Sequence, residues 1–163
     1  MSACHCTLLR KATRRLSRLY DMTVAPSGLK TTQAAILAEI DRSQPCPVGE
    51  LADKLVMDAG ALAHTLKPLE RDGFVTVEID ERDRRNRLIS LTEAGRAKMD
   101  ETQALLAEAH QGFEAVLGAD GAKALRDSLY RLISDEFEDS FQAALPKRNF
   151  ETQRRRGAEG LPG

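Results

Sequence analysis

The segment "VTVEIDERDRRNRLISLT", residues 75–92, holds two alternating apolar runs on either side of a charged turn. Apolar residues occupy every second position from 75 to 79 and again at 89 and 91. Such alternation is typical of strands with one buried face, so the segment predicts a two-stranded hairpin. Its turn, residues 80–87, holds four arginines and three acidic residues. A solvent-exposed tip does not need four arginines for solubility, which indicates a binding role.

Two helical segments of unequal length lie upstream. The first can be capped by Thr31 or Thr32, carries apolar residues at helical spacing and ends before Gln44. The second is a short helix from Val48 to Leu55.

A third helical segment, residues 59–71, leads into the hairpin, with Asp58 as its N-cap and Asp72-Gly73 at its end. Helix, tight turn, helix and hairpin in this order form a helix-turn-helix with a wing. The second helix fits the major groove of DNA, and the wing reaches phosphates or the adjacent minor groove. We therefore interpret the arginine-rich tip as a DNA contact. The alternative is a solvated hairpin whose arginines pair with its own acids.

Long helices are predicted on both sides of this core. Residues 6–20 carry leucines on one face and cations on the other. Beyond the hairpin, one helix runs from Thr92 to about Gln111 and another from about Asp120 to Leu145.

These terminal helices hold more apolar residues than one small winged domain buries, which predicts a symmetric homodimer. Their charges also differ, since residues 10–18 hold five cations and no acid, whereas residues 100–145 hold ten acids and three cations. The apolar residues concerned are Leu8, Leu16, Leu19, Leu125, Leu129, Leu132, Ile133 and Phe137.

The chain of 163 residues suits one domain with helical extensions. Hydrophobic residues make up 42% and aromatic ones 4%, with no Trp, which predicts aliphatic packing. The sequence has no apolar stretch long enough to span a membrane and no apolar signal-peptide core at its N-terminus. We therefore expect a cytoplasmic protein without a membrane partner.

Three stretches resemble the MarR family of bacterial transcription regulators: "GLKTTQAAILAEI" (28–40), "VGELADKLVMDAGALAHTLKPLERDGFV" (48–75) and "DERDRRNRLISLTEAGRA" (80–97). The resemblance implies a mainly α (α+β) fold, a winged helix-turn-helix with N- and C-terminal dimerisation helices. We expect an N-terminal dimerisation helix, a DNA-binding domain, C-terminal dimerisation helices and a disordered basic tail. The corresponding segments are residues 1–27, 28–97, 98–145 and 146–163.

The most specific match is the Asp-x-Arg motif of the wing, Asp83-Arg84-Arg85. In the family, this arginine enters the minor groove and the aspartate supports the wing. The resemblance therefore implies that Arg85 enters the groove and that Asp83 braces it. Arg84 and Arg87 are predicted to contact phosphates.

The recognition helix departs from the family pattern, because family members often carry Ser, Thr and Arg where this chain has small residues. Small residues allow close approach and can meet a thymine methyl, but they form few hydrogen bonds. Pro68 should remove one backbone hydrogen bond and bend the helix. Specificity is then expected to depend on the wing and on DNA shape. The residues of this helix predicted to bind DNA are Gly60, Ala61, Ala63, His64 and Lys67.

The homodimer predicted from the terminal helices should bind an inverted-repeat operator. The resemblance implies that it represses transcription until a signal releases it; activation is the alternative. In similar proteins, small aromatic acids bind between the dimerisation and DNA-binding regions. His5, His64 and His110 are scattered and no catalytic motif is present, so we expect neither enzyme activity nor a cofactor. A rival interpretation is a winged helix that binds an acidic protein partner instead of DNA.

Cys4, His5 and Cys6 lie at the start of the first helix. Some relatives sense oxidants through cysteines in this helix, and a helix N-terminus near cations should lower a thiol pKa. Oxidation can join Cys4 or Cys6 across the dimer, or to Cys46, the weakest of the three candidates. The triplet can instead supply ligands to a zinc ion shared by two subunits. The third possibility is that these residues are incidental.

Overall fold

A computed structural model describes residues 4–146. Within that range, three short strands form one antiparallel sheet in the order β1-β3-β2. They are β1 (Cys46–Pro47), β2 (Val75–Ile79) and β3 (Arg87–Leu91). The helices are α1 (His5–Val24), α2 (Thr31–Ser43), α3 (Val48–Lys54), α4 (Ala59–Arg71), α5 (Glu93–Leu117), α6 (Ala119–Leu132) and α7 (Asp135–Ala144). The predicted mainly α winged helix-turn-helix is confirmed.

The described chain forms two compact units, one ending at Gly118 and the other beginning at Ala119. The first contains α1 to α5 with the sheet, and the second contains α6 and α7. The predicted disordered tail lies outside the described residues from position 147 onward. Between residues 4 and 146, no helix combines the length and the hydropathy needed to cross a membrane.

The core of the first unit is aliphatic, as the composition predicts. Helices α2, α3 and α4 each turn one apolar face toward the inner face of β2 and β3. Burying these faces, at about 25 cal/mol per Å² of apolar surface, is the main stabilising contribution to this unit. The fully buried residues of this cluster include Ile36, Leu37, Ile40, Leu51, Leu62, Leu69 and Ile89.

The hairpin has the register that its alternation predicts. Val75 pairs with Leu91 and Val77 with Ile89, so the alternating apolar residues share one face of the sheet. Ile79, at the end of β2, is 53% exposed. β2 therefore begins in the core and β3 ends there, and the far ends of both strands leave the wing tip in solvent.

The N-terminus of α2 is capped differently from the prediction that Thr31 or Thr32 caps the helix. Lys30 is the N-cap residue, and Thr31 is the first residue of the helix. The Asp21 carboxylate from α1 accepts hydrogen bonds from Thr31 N at 2.8 Å and from Thr31 Oγ1 at 2.7 Å. A carboxylate ten positions earlier in the chain therefore accepts hydrogen bonds from the first turn of α2. Local sequence patterns do not reveal such a partner.

The C-terminal helices also differ from the expected boundaries. α5 continues past Gln111 to Leu117. Gly118 follows as its C-cap with φ of 80°, a conformation that residues with a side chain avoid. The single helix expected from Asp120 to Leu145 is divided into α6 and α7. Ser134 is the N-cap residue of α7, and its hydroxyl accepts a hydrogen bond from Phe137 N at 3.3 Å.

Candidate nucleic-acid interface

Asp58 is the N-cap residue of the recognition helix α4. Its carboxylate accepts hydrogen bonds from Gly60 N at 2.9 Å and from Ala61 N at 3.2 Å. These bonds satisfy two of the N–H groups that a helix leaves unpaired in its first turn. The prediction that Asp58 is the N-cap is confirmed, and its bonds fix the first turn of α4.

The outer face of α4 is open to solvent, whereas Leu62, Leu66 and Leu69 on the inner face are buried. A helical repeat of 3.6 residues sets the predicted DNA-binding residues opposite these leucines. Side chains and backbone on this outer face can therefore approach another molecule together. The residues exposed here are Gly60, Ala61, Ala63, His64 and Lys67.

Few side-chain hydrogen-bond donors remain on this outer face. Thr65 Oγ1 donates back to Ala61 O at 3.0 Å, so its proton is already used. α4 continues through Pro68 to Arg71, which shows that the proline does not end the helix. Since proline has no N–H, the His64 carbonyl lacks its usual helical donor. His64 and Lys67 are therefore the main polar side chains of this face.

The turn between α3 and α4 holds Val56 in the left-handed region, with φ of 51°. Its side chain is 72% exposed. Val56 N donates to Asp53 O at 3.0 Å and Met57 N to Ala52 O at 2.9 Å. These two bonds close the tight turn of the helix-turn-helix around a β-branched residue, for which positive φ is strained.

At the wing tip, Asp83 holds Arg85 in place. Its carboxylate accepts from Arg85 Nε at 3.1 Å, from Arg85 Nη2 at 3.2 Å and from Arg85 N at 3.1 Å. The Arg85 side chain, and then its backbone N–H, lower the pKa of Asp83. Arg85 nevertheless remains 90% exposed. This arrangement, named here the wing clasp, presents an oriented guanidinium to solvent.

Further bonds shape the turn that carries the clasp. Asp80 N donates to Asn86 O at 3.1 Å, and Asn86 N donates to Asp83 O at 2.8 Å. Arg82 N donates to the Asp80 carboxylate at 2.8 Å. Arg82, which the sequence-based choice of DNA contacts omitted, is as exposed as the arginines at positions 84, 85 and 87. Because Arg82 lies in the same charged run, we expect of it the same kind of contact.

The end of α4 is fastened to the start of α5. Thr92 Oγ1 donates to Gly73 O at 2.6 Å, and Thr92 N donates to Phe74 O at 3.1 Å. Gly95 packs so closely on this turn that a Cβ there would lie 1.9 Å from Phe74 O. The orientation of the recognition helix is therefore tied to that of the long helix α5.

The cations of α1 line one side of an open cleft of about 460 Å³. Their spacing of three, one and three residues sets them on one helical face. Within residues 4–146, none of these cations forms an ion pair. The lining residues described are Lys11, Arg14, Arg15, Arg18 and Leu19.

The three cysteines are free thiols in different surroundings. Cys4 is exposed at the N-cap of α1, and its side chain makes no capping hydrogen bond. The nearby backbone N–H groups of Thr7 and then Cys6 nevertheless lower the pKa of its thiol. Cys46 is 2% exposed in β1, and burial raises the pKa of its thiol. Cys4 thus has the surroundings of a reactive thiol and Cys46 those of an inert one.

Neither a metal centre nor a histidine-based catalytic group is formed by the described residues. From Cys4 to Pro146, no group of three His, Cys, Asp or Glu side chains is arranged to hold a metal ion. His110 Nδ1 lies 3.2 Å from the Tyr20 hydroxyl, and the two rings meet edge to face at 5.5 Å. His110 therefore joins α5 to α1, in keeping with a structural role.

An exposed second helix beside an arginine-bearing hairpin defines the winged helix-turn-helix class of DNA-binding proteins. The model of the MarR family matches residues 29–86, which include α2, α4, β2 and the wing tip. The chain belongs to the MarR family of transcription regulators.

Individual relatives extend this finding. The transcriptional activatory protein BadR of Rhodopseudomonas palustris is 41% identical over 76 residues, which are 45% of this chain and 43% of BadR. The chain thus matches less than half of BadR's length. A probable transcriptional regulator from Pseudomonas aeruginosa has a TM-score of 0.70 at 32% identity, covering 77% of this chain and 93% of that one. The M. tuberculosis regulator MOSR in complex with DNA has a TM-score of 0.75 at 29% identity, covering 88% and 100%.

Proposed function

We propose that this regulator binds an inverted-repeat operator as a homodimer and represses transcription until a signal releases it. The wing clasp is the observation that carries the proposal, because it holds one exposed guanidinium in a defined orientation beside α4. Arg85 enters the minor groove while Asp83 braces it, and Arg84 and Arg87 contact phosphates. A solvated hairpin would also pair Arg85 with Asp83, so DNA is favoured by the 90% exposure of the Arg85 side chain together with the match to the MarR family.

The recognition helix occupies the major groove in this proposal. Gly60, Ala61 and Ala63 let the backbone approach the base edges, and alanine methyls can meet thymine methyls. His64 and Lys67 supply the polar contacts to bases or phosphates. With so few donors on α4, sequence preference depends strongly on the wing and on the shape of the minor groove.

A homodimer is supported by apolar residues that remain in contact with solvent on the terminal helices. Leu19 and Met22 on α1 are 51% and 66% exposed, and Ile133 and Phe141 of the second unit are 60% and 54% exposed. A second copy would bury them. Two recognition helices would then meet half-sites about one DNA turn, or roughly 34 Å, apart.

Release by a small aromatic acid is supported by the cations of the α1 cleft, which form no ion pair within residues 4–146 and can bind a carboxylate. Release by oxidation is supported by the lowered pKa of the exposed Cys4 thiol. The name of BadR describes an activator. A reporter gene placed behind the operator decides the direction: the proposal expects lower expression when the regulator is present and higher expression after release.

DNA binding is tested on a duplex enriched by the parent protein from a random-sequence pool. Arg85→Ala should lower affinity by about 5- to 150-fold per half-site, since a groove-inserted arginine contributes about 1–3 kcal/mol. Arg42→Ala is the control, because the exposed Arg42 side chain also pairs with a carboxylate, that of Glu39 on α2. Parent-like affinity of Arg85→Ala would show that the wing assignment is wrong.

The rival, docking onto an acidic protein, predicts a different response to salt. Binding to DNA should weaken steeply as salt rises, with a slope that counts the neutralised phosphates. Enrichment of no duplex by the parent, together with weakly salt-dependent binding to an acidic protein, would favour the rival.

The oxidation hypothesis is tested with a Cys4→Ser, Cys6→Ser double variant. Peroxide should abolish operator binding by the parent, and reductant should restore it, while the double variant keeps its affinity throughout. A Cys46→Ser variant is the control, because its buried thiol is expected to contribute nothing. Equal responses of the parent and the double variant would remove the cysteines from the mechanism.

A further inference from the structure

The side chain of Gln44 takes the place of a strand residue beside β3. β1 pairs with β3 in a register that sets Cys46 opposite Ile89, so residue 44 would face Leu91. The backbone N–H of Gln44 is already donated to the last turn of α2. Instead, Gln44 Oε1 accepts a hydrogen bond from Leu91 N at 2.8 Å. One side chain thereby extends the sheet at the base of the wing.

A second layer of contacts holds this glutamine in place. Gln44 Nε2 donates to Asp41 Oδ1 at 3.2 Å, and Arg96 Nη1 donates to the same oxygen at 3.0 Å. One carboxylate therefore connects the end of α2, the base of β3 and the first turn of α5. Leu91 is only 7% exposed, so an unpaired N–H at this position would be costly.

The two strands of the wing are held in different ways. β2 follows α4 after a turn of three residues, 72–74, so the chain itself fixes the position of β2. β3 returns from the wing tip, and at its base Leu91 is held by Gln44 on one side and by β2 on the other. A binding group must be held within about 0.5 Å of its productive position. We expect that loosening the base of β3 would shift the tip out of this position.

We propose that Asp41, Gln44 and Arg96, named here the wing clip, are positioning residues for DNA binding. They set the angle at which the hairpin presents Arg85 beside the recognition helix. None of the three belongs to the wing tip or to α4, so they act through β3. This inference rests on the proposed function, in which Arg85 enters the groove.

The test is a double-mutant cycle on the duplex enriched by the parent protein. Gln44→Met keeps the length of the side chain and removes both of its hydrogen bonds. Its affinity should fall about tenfold in the parent background and less than twofold in the Arg85→Ala background, because the clip acts through Arg85. Gln33→Met is the matched control, since Gln33 Oε1 accepts from Lys30 N at 2.9 Å at the opposite end of α2. It should change affinity less than twofold in both backgrounds.

The outcomes separate the two proposals. A coupled loss supports the wing clip. Equal losses in both backgrounds would overturn the clip alone, because Gln44 would then affect DNA binding independently of the wing. If Arg85→Ala binds as tightly as the parent, the proposed role of the wing fails and the clip fails with it.

Arg96→Gln covers the case in which Gln44→Met does not fold, since the Arg96 side chain is 54% exposed. It should show a smaller coupled loss, about threefold, and Arg96→Lys should restore most of it by returning a cation to Asp41. Hydrogen exchange without DNA gives an independent readout, in which the Leu91 amide should exchange faster in Arg96→Gln. If the loss of affinity in Arg96→Gln simply added to that of Arg85→Ala, or if Arg96→Lys did not restore affinity, the inference would be overturned.

Discussion

Asp83 and Arg85 are two residues apart, and their contact depends on the turn that the wing tip adopts. The lowered pKa of Asp83 means that the charged carboxylate is favoured in the folded protein. The clasp is therefore complete above the ordinary aspartate pKa of 3.8 and is lost as the pH falls through the lowered value.

Replacing Arg85 should return the pKa of Asp83 toward the ordinary range of an aspartate. In Arg85→Ala, the Asp83 pKa should rise toward 3.8, because the guanidinium that stabilises the carboxylate is gone. Carbon NMR of the Asp83 carboxyl group measures it directly, with Arg42→Ala as the control. An unchanged Asp83 pKa in Arg85→Ala would contradict the clasp.

Val56 has a backbone conformation, with φ of 51°, that suits its β-branched side chain poorly. Val56→Asn should raise the free energy of unfolding by about 1 kcal/mol, since asparagine tolerates the left-handed region and other L-residues are disfavoured there. Thermal or urea unfolding measures the change. Val56→Ala controls for the loss of β-branching and should gain less. A less stable Asn variant would show that the positive φ is not a source of strain.

At the scale of elements, α5 offers a comparison between two of its glycines. A Cβ at Gly95 would collide with Phe74 O, whereas a Cβ at Gly112 would meet nothing within 4 Å. Gly95→Ala should therefore destabilise the protein by about 1–3 kcal/mol or prevent folding. Gly112→Ala should stabilise it by up to about 1 kcal/mol, the helix propensity difference. Urea denaturation of both variants checks this, and similar effects at both positions would contradict the close packing at Gly95.

Elements with strong local signals could be predicted from sequence, and those that depend on distant partners could not. α4 was predictable because Asp58, the leucine spacing and the Asp-Gly stop lie within sixteen residues. β1 has only two residues, one of them a proline, and it exists because it pairs with β3. The division between α6 and α7 does have a local signal, the Ser134 N-cap followed by acidic residues, which the apolar pattern alone does not reveal.

The same distinction applies to the candidate site. Its exposed arginines and small residues were visible as runs in the sequence, because the wing and the recognition helix are continuous segments. The hydrogen bond between Gln44 and Leu91 joins residues 47 positions apart. No periodicity or motif links them, so the support of the wing emerged only from the fold.

For the whole molecule, we expect a dimer in light scattering at micromolar concentration. Ile133→Asp should shift the protein toward monomers, because a dimer would bury two copies of an unpaired carboxylate, each costing several kcal/mol. Val56→Asp, with a side chain 72% exposed in the turn of the DNA-binding domain, is the control and should leave the dimer intact. A parent protein that is strictly monomeric would rule out the proposed assembly.

The wing clasp also bears on how quickly this protein would find its operator. Residues 80–87 combine four arginines with three acids, so the tip has a net charge of only about +1. Ordinary DNA backbone attracts such a tip weakly, and an Arg85 already paired with Asp83 gains little by exchanging one anionic partner for another. A narrow A·T-rich minor groove has a stronger negative potential and can attract the Arg85 guanidinium while Asp83 still braces it. On the proposed binding mode, Asp83 would shorten the time spent on random DNA and leave the wing free to search.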